Sequence, residues 1–509
     1  MEILDCTLRD GGYYTNWDFS KEIVDSYIDA VNQLPIDIIE IGYRSPVKQD
    51  YLGEYFYCPQ YVIDYITEKC RKQVAIMFNE KDVRPEMLDD LLKGCDAISL
   101  VRLAVDPDNL ERAIVLAKAI RQRGFEVALN IMYMSKWNEK QGFLDLMSQV
   151  DDVATYVNMV DSYGGVYPDE VKKIYRDLRS RTSVKVGFHG HNNLELGLIN
   201  SLTAIECGAD IIDVTITGMG RGAGNAKTEL LLTTLNSKKG LPVDFNVLGK
   251  VVNEFEKMME HYKWGTNLPY MIAGANSFPQ KDVMEWVSNR FYSYNSIIRT
   301  LQNRKDGRKD NFQLPKLTSN KFVDEVVIVG GGPSAIMHAS GITNFLSTRK
   351  KCAIIHASSK NAKPYKNLDN EQFFCLVGNE GHRLEDAFDD LGEFKGKCIL
   401  PPYPRKMGTY IPERIIDKCF ELREMTFTKS LVDTHTAIAI QTAIDLKASR
   451  IYLVGYDGYY DNVSMVEREL SAENEELFRK ATKTISICSL FPTAYDVDVK
   501  SLYSLLIHE

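Results

Sequence analysis

The stretch SVKVGFHGHNNLELGLINSLTAIECGADIIDVTITG (183–218) opens and closes on short β-branched runs, SVKVGFHG (183–190) and ADIIDVTITG (209–218), about twenty residues apart. Nearly continuous apolar runs of this length read as strands covered on both faces, the habit of parallel strands joined by helices. Six more runs precede them at similar spacing: MEILDCT (1–7), DIIEIGYR (37–44), QVAIMFNE (73–80), AISLVRLAV (97–105), EVALNIMYM (126–134) and TYVNMVDS (155–162). Amphipathic stretches such as SKEIVDSYIDAVNQL (20–34) and PDNLERAIVLAKAIRQRG (107–124) lie between them. Eight strand–helix units in about 220 residues fit a closed (β/α)8 barrel better than an open doubly wound sheet.

Polar residues gather at the C-terminal ends of these strands: Arg9 and Asp10, Arg44, Asn79, Asp161, His189 and His191, Thr215 and Thr217. That rim is where a parallel barrel places its chemistry. Side chains alternate along a strand, so His189 and His191 share a face and offer two imidazoles at the mouth. Asp10 follows the first strand, two places from the seventh in a closed barrel, and can add a carboxylate. Asn225, in the GMGRGAGN turn (218–225), can add a neutral oxygen. Two imidazoles with oxygen ligands and open positions suit a divalent cation such as Mn²⁺, Mg²⁺, Zn²⁺ or Fe²⁺, whereas a structural zinc site is closed and Cys-rich. The other reading of a strand-end histidine is an ordinary hydrogen-bonded polar residue. Glu40, Arg44, Arg102 and Asn130 also fall on strands where they can face the mouth. Arg102 is a candidate for binding the carboxylate or phosphate of a substrate, with an internal ion pair as the alternative.

DCTLRDGG (5–12), GFHGHNNLELGLINSL (187–202) and TGMGRGAGNAKTE (217–229) together resemble the DRE-TIM metallolyase superfamily. Its members include 4-hydroxy-2-oxovalerate aldolase, hydroxymethylglutaryl-CoA lyase and the isopropylmalate synthases. The resemblance implies a TIM barrel holding a divalent metal, Mn²⁺ or Mg²⁺, on Asp10, His189, His191 and Asn225. It implies Arg9 beside the enolate oxygen, and Asp161 and Ser162 of VDSYGG (160–165) as substrate-binding residues. It also implies a 2-oxo acid and an aldehyde as substrates, and a homo-oligomer, for which the helical stretch 226–304 is a candidate surface. The Gly-rich turn contains no cysteine, unlike the acyl-CoA lyase branch. Two positions depart from the pyruvate aldolase branch: Tyr13 stands where that branch has a histidine base, and Asn276 where it has a tyrosine. Tyr13 is a candidate proton shuttle, its phenol being a better acid than base at an ordinary pKa of about 10; packing against substrate is the alternative. A Claisen-type synthase using an acyl-CoA, or a non-catalytic barrel carrying a binding domain, are the competing functions.

Residues 1–240 are thus expected to form the barrel, 241–304 a helical extension that includes FNVLGKVVNEFEKMMEHY (245–262), and 305–322 a polar, Gly- and Pro-broken linker. DEVVIVGGGPSA (324–335) then opens a smaller Rossmann-like α/β domain over 323–509. Its strand and glycine turn can present amides to a phosphate, although the spacing is neither a dinucleotide fingerprint nor a Walker motif. GGGPS (330–334) with THTAIAIQTAIDLKASRIYLVGYDG (434–458) is similar to bacterial sialyltransferases and 6-hydroxymethylpterin diphosphokinase-like proteins. That similarity implies a nucleotide or nucleotide-sugar near Gly332, Pro333, Ser334 and Asp457, with Thr434 and Thr436 at the same cleft and His435 as a base or a helix-cap neighbour. It would tie the aldolase to surface-glycan or sugar-acid biosynthesis.

The composition fits this reading of a barrel followed by a smaller α/β domain and excludes others. A net charge of -9 with no basic stripe argues against nucleic acid. No apolar run nears the ~18 residues of a membrane span. The ten cysteines show no CxxC or ribbon spacing, and MEILDCTLRDGG has no apolar leader segment. A reducing cytoplasm is the expected location.

Overall fold

The computed structural model describes residues 1–140, 142–289, 292–318, 323–460 and 463–507. The chain divides into two compact units, Met1–Met284 and Glu285–Glu509.

In the first unit, eight described strands close into a parallel barrel in sequence order. They are β1 Glu2–Asp5, β2 Ile38–Tyr43, β3 Gln73–Asn79, β4 Leu100–Val105, β5 Glu126–Ile131, β6 Tyr156–Asp161, β7 Lys185–Gly190 and β8 Ile211–Val214. The barrel and its strand positions match the expectation. β8 is shorter than its apolar run, because the chain turns at Thr215, whose N–H donates to Ala226 O. Alternation along the strands stacks the interior in layers. A lower layer is mainly apolar: Leu4, Ile38, Ala75, Leu100, Ala128, Tyr156 and Ile211. Two residues further along several strands the inward positions turn polar, giving Glu40, Arg102, Asn130, Asn158, His189 and Asp213, all buried. Gly187 makes room for this change, since a Cβ there would lie 1.9 Å from Asn158 Oδ1.

The helix Phe245–Tyr262 starts on Asp244, whose carboxylate accepts from Asn246 N and Val247 N. Its buried residues Leu248, Val251 and Phe255 join the barrel's outer core, with the Phe255 ring 6.4 Å from that of Tyr27.

The second unit is built on an open sheet in which every pairing is parallel. Its strands are β9 Glu325–Val329, β10 Cys352–His356, β11 Gln372–Cys375, β12 Lys397–Leu400, β13 Cys419–Glu421, β14 Arg450–Val454, β15 Ser486–Ser489 and β16 Asp498–Val499. Their order is β13-β12-β11-β10-β9-β14-β15-β16, so the direction of winding reverses at β9. The helix Tyr294–Lys305 belongs to this unit: Arg299 donates to Asn379 Oδ1 at 2.5 Å and Gly408 O at 2.7 Å. Residues 305–318 run on against the sheet. Leu314 packs with Phe374 and Phe394, and Lys316 pairs with Glu421 in an isolated parallel bridge. Phe312 and Leu314, two positions apart, account for this contact within a stretch otherwise polar enough to read as a linker. Residues 319–322 of that stretch lie outside the described residues.

All ten cysteines are free. No helix among the described residues is long and apolar enough to cross a membrane.

Candidate active site

β1 leads almost directly into the short helix Thr7–Thr15, whose first turns carry Arg9 and Asp10. Two glycines let this helix sit flush on its neighbours. A Cβ on Gly11 would fall 2.7 Å from Met219 Sδ, and one on Gly12 2.1 Å from the Trp17 ring. β7 brings His189 inward. His191, just past its end, forms an antiparallel bridge with Asn225, and Ala226 N donates to Gly190 O at 2.9 Å. The glycine-rich loop is thereby drawn across the barrel mouth to Asp10.

The ligand atoms of Asp10, His189 and His191 all lie within 4.8 Å of one another, and all three residues are buried. His189 Nε2 is 3.7 Å from Asp10 Oδ2, too far for a hydrogen bond and close enough to share one ion. Asn225 Nδ2 donates to Asp10 Oδ2, while Asn225 Oδ1 is buried without a hydrogen-bond partner among the described residues. Burial alone would raise the Asp10 pKa, but Arg9, followed by the two histidines and Asn225, outweighs it and holds the carboxyl at about 2. Burial and then the neighbouring His189 push the His191 pKa down to about 3. One carboxylate, a neutral imidazole, a second imidazole and an orphaned amide oxygen fit a divalent cation with hard and borderline donors. A second group, Cys6, His189 and Asp213, also comes together. It is the poorer set: burial pushes the Cys6 thiol well above its ordinary value, and His189 Nδ1 is already bonded to Asp213 at 2.9 Å.

Comparison with known proteins agrees with this geometry. The HMGL-like family profile matches residues 100–257. The 4-hydroxy-2-oxovalerate aldolase of Chloroflexus aggregans is 31% identical over 48% of this chain and 72% of its own length. The chain belongs to the HMGL-like family. By that membership it is an enzyme of the metal-dependent carbon–carbon lyase class. An oxaloacetate decarboxylase of Mycobacterium tuberculosis is 28% identical over 46% of this chain and 70% of its own. A solved N-terminal domain from Bacteroides vulgatus shares 57% identity over 59% of this chain and 99% of its own, with a TM-score of 0.56.

Beneath the cluster of this HMGL-like barrel lies a closed ring of charge. Arg9 Nη1 is 2.5 Å from Asp10 Oδ1, and Arg9 Nε is 2.7 Å from Glu40 Oε2. Glu40 Oε2 is also 3.1 Å from Arg102 Nη1, and Arg102 Nη2 bonds Asp213 Oδ2. Asp213 takes His189 Nδ1, and His189 Nε2 faces Asp10 again. Asp213 keeps a lowered pKa because Arg102 and His189 overcome the cost of its burial.

Above the cluster is a pocket of about 90 Å³, well below the ~300–1,000 Å³ of sites for drug-sized ligands. It suits a small substrate. Arg9, Asp10, Tyr13, Ser162, His189 and His191, all expected in the site, line it. Two expected substrate contacts do not. Arg102 is wholly buried in the charged ring, so its guanidinium supports Asp213 and Glu40 instead of meeting substrate. Asp161 is buried below the pocket and accepts the N–H groups of Gly165 and Val166, each at 3.2 Å, shaping the turn that presents Ser162. Asn276 caps the helix Leu268–Ala275 and donates to Ile272 O at 2.8 Å, away from the pocket lining. Sequence reasoning missed Tyr43, Tyr133, Tyr163, Arg221 and Gln280, which also line the pocket. Arg221 and Tyr163 had a visible signal, their places inside the glycine-rich turn and the VDSYGG turn.

In the second unit, the groups expected to meet a phosphate are engaged with one another, the turn after β9 bonding the turn after β14. Gly332 N donates to Gly455 O at 2.8 Å, Ser334 N to Asp457 Oδ2 at 3.2 Å, and Gly455 N to Ser334 Oγ at 3.0 Å. Pro333 precedes the four-residue helix Ser334–Met337. Thr434 caps the helix His435–Asp445, Thr436 bonds Asn474 at 2.7 Å, and His435 Nε2 lies 3.4 Å from Glu380 Oε2.

Proposed function

We propose that the barrel is a divalent-metal-dependent aldolase that joins the enolate of a pyruvate-like 2-oxo acid to an aldehyde, or cleaves the 4-hydroxy-2-oxo acid that results. The observation that carries this reading is the Asp10–His189–His191 cluster opening, together with Arg9, into one small pocket. A bound divalent cation supplies Lewis acidity to the carbonyl of the 2-oxo acid. Asp10, His189 and His191 are the residues that would hold it, with Asn225 as an additional oxygen. Arg9 spends Nη1 and Nε on Asp10 and Glu40, and its Nη2 has no protein partner among the described residues. That N–H donor is placed to stabilise the negative charge that gathers on the enolate oxygen. In the forward direction the methyl carbon of the 2-oxo acid loses a proton to a solvent base. That carbon then attacks the aldehyde carbon, a C–C bond forms, the C=O π bond breaks, and the new alkoxide takes a proton. Tyr13 lines the pocket and is the donor for that last proton, which it recovers in the cleavage direction. In the forward direction solvent later reprotonates Tyr13. The tyrosine-rich wall and the small volume keep bulk water from the enolate.

The test is deuterium incorporation into the methyl group of pyruvate in D₂O, followed by NMR with Mn²⁺ or Mg²⁺ added. Exchange that requires the metal and disappears in Asp10→Asn and His189→Ala supports an enolising site. No exchange and no aldehyde turnover with either metal would reject this function.

A further inference from the structure

The cations of the pocket are unequally matched. Arg9 is paired with Asp10 and Glu40. Arg221 lines the same pocket, partly buried, and among the described residues no carboxylate or hydrogen-bond acceptor meets its side chain. Its guanidinium carbon sits 5.3 Å from the centre of the Tyr13 ring, which orients it without neutralising it. Its backbone is held firmly. Gly224 N donates to Arg221 O at 3.2 Å, and Tyr14 donates its hydroxyl to Gly222 O at 2.6 Å. Gly222 and Gly224 adopt φ of 67° and 83°, the left-handed region that glycine enters freely. Beside this turn, Gln280 Oε1 accepts from Asn193 Nδ2 at 3.0 Å. Its Nε2 keeps only a 3.5 Å contact with Phe278 O, so the amide offers the pocket a second N–H donor.

Asp10 is the sole acid among the residues that line the pocket, and Arg9 already answers it. A 2-oxo acid brings one carboxylate, which the cation cluster and Arg9 can take. That leaves Arg221 as a preorganised guanidinium with no counterion, and guanidinium forks bind carboxylate and phosphate in two-point fashion.

Resting on the aldolase reading above, we propose that Arg221 anchors the second substrate, and that this acceptor aldehyde carries a carboxylate or phosphate at the end remote from its carbonyl. Gln280 supplies an additional N–H to the same group. The small pocket restricts the acceptor to a short chain.

The experiment compares kcat/KM at saturating pyruvate for propionaldehyde, succinic semialdehyde and glyceraldehyde 3-phosphate, using the full chain loaded with Mn²⁺. The wild-type enzyme is expected to favour an anionic aldehyde over the neutral one. Arg221→Gln should cut that anionic-to-neutral ratio by roughly 10–100-fold, the worth of a hydrogen bond to a charged group, and Arg221→Lys should restore part of it. Whichever anionic aldehyde is preferred tells carboxylate from phosphate. Equal use of neutral and anionic aldehydes by the wild type would overturn the proposal, as would a variant that raises KM for pyruvate and leaves the ratio alone. A separate calorimetric titration with malonate and with inorganic phosphate reads the anchor without turnover. Binding of either anion that weakens roughly 10–100-fold in Arg221→Gln supports it even if no aldehyde reacts, and no difference between the two proteins rejects it.

Discussion

His189 Nδ1 lies 2.9 Å from Asp213 Oδ2, and this contact decides which nitrogen of the ring meets the cation. Asp213 has a lowered pKa and can only accept, so Nδ1 carries the proton and the Nε2 lone pair points toward Asp10. Asp213→Asn would loosen that choice, because an amide can donate to Nδ1 as readily as accept from it. The expected outcome is a fall of about 10–100-fold in Mn²⁺ affinity by electron paramagnetic resonance titration, with a shift of the His189 ¹⁵N resonances toward the other tautomer. Unchanged affinity would show that Asp10 and His191 set the site without help from the ring.

Glu40 is the shared anion of Arg9 and Arg102, and its side chain is completely buried. Glu40→Ala leaves two buried guanidiniums one partner short, so unfolding in urea should show a loss of about 3–5 kcal/mol. Glu40→Gln keeps an oxygen on Arg9 and should lose less. If the alanine variant is as stable as the wild type, the charged ring is not a stabilising unit.

The two strongest parts of this architecture were legible because each rests on local periodicity. Alternation put His189 and His191 on one face, and the strand-end rule put Asp10 beside them. What escaped depends on how strands pair. Asp213 faces His189 because β7 and β8 are in register there, His189 opposite Asp213, and no feature of either segment alone states that register. Arg102 looked like a substrate contact because a strand residue can face the mouth at any height. The layer it occupies is fixed by the register of β4 with its neighbours, which sinks it to the level of Glu40 and Asp213. Arg221 and Gln280 sit about sixty positions apart and meet only when the loops close over the barrel.

Gly220 is the point at which the glycine-rich loop passes the cation ligands. A Cβ there would lie 2.4 Å from Asn225 Nδ2 and 3.0 Å from Asp10 Oδ2. Gly220→Ala should therefore push the Asn225 amide off Asp10 and weaken Mn²⁺ binding at least about 10-fold. The stability cost should stay within the roughly 1–3 kcal/mol of local overpacking. Calorimetry with Mn²⁺ and thermal unfolding without it separate the two effects; full affinity in the variant would mean that the loop moves aside freely.

Asp161 gives a pH signature. Burial outweighs its backbone hydrogen bonds and lifts its pKa to about 6, against an ordinary value of 3.8. Between those values the folded protein holds a proton that the unfolded chain has released. Its contribution is therefore fully present below about pH 4 and lost as pH rises through about 6. Asp161→Asn removes this dependence. The stability of the wild type relative to the variant should fall by about 3 kcal/mol between pH 4 and pH 7, as two pKa units imply. Chemical denaturation of both proteins at several pH values checks this, and a constant difference would mean that Asp161 stays ionised throughout.

Tyr13 stands 3.4 Å, hydroxyl to hydroxyl, from Tyr43. Burial pushes the Tyr43 pKa well above its ordinary value, so Tyr43 keeps its proton and can donate to the Tyr13 oxygen. Tyr13 then has its own O–H free to turn toward the pocket. If that proton goes to the aldehyde oxygen as the C–C bond forms, Tyr13→Phe should slow aldol addition and cleavage by about 10²–10⁴-fold. Mn²⁺ affinity, set by residues below it, should change little. The informative readout is the ratio of aldol turnover to pyruvate methyl exchange, because exchange requires no proton on an aldehyde. A ratio that collapses in Tyr13→Phe places the phenol at the acceptor. Equal losses in both reactions would instead place it at the 2-oxo acid, serving enolisation.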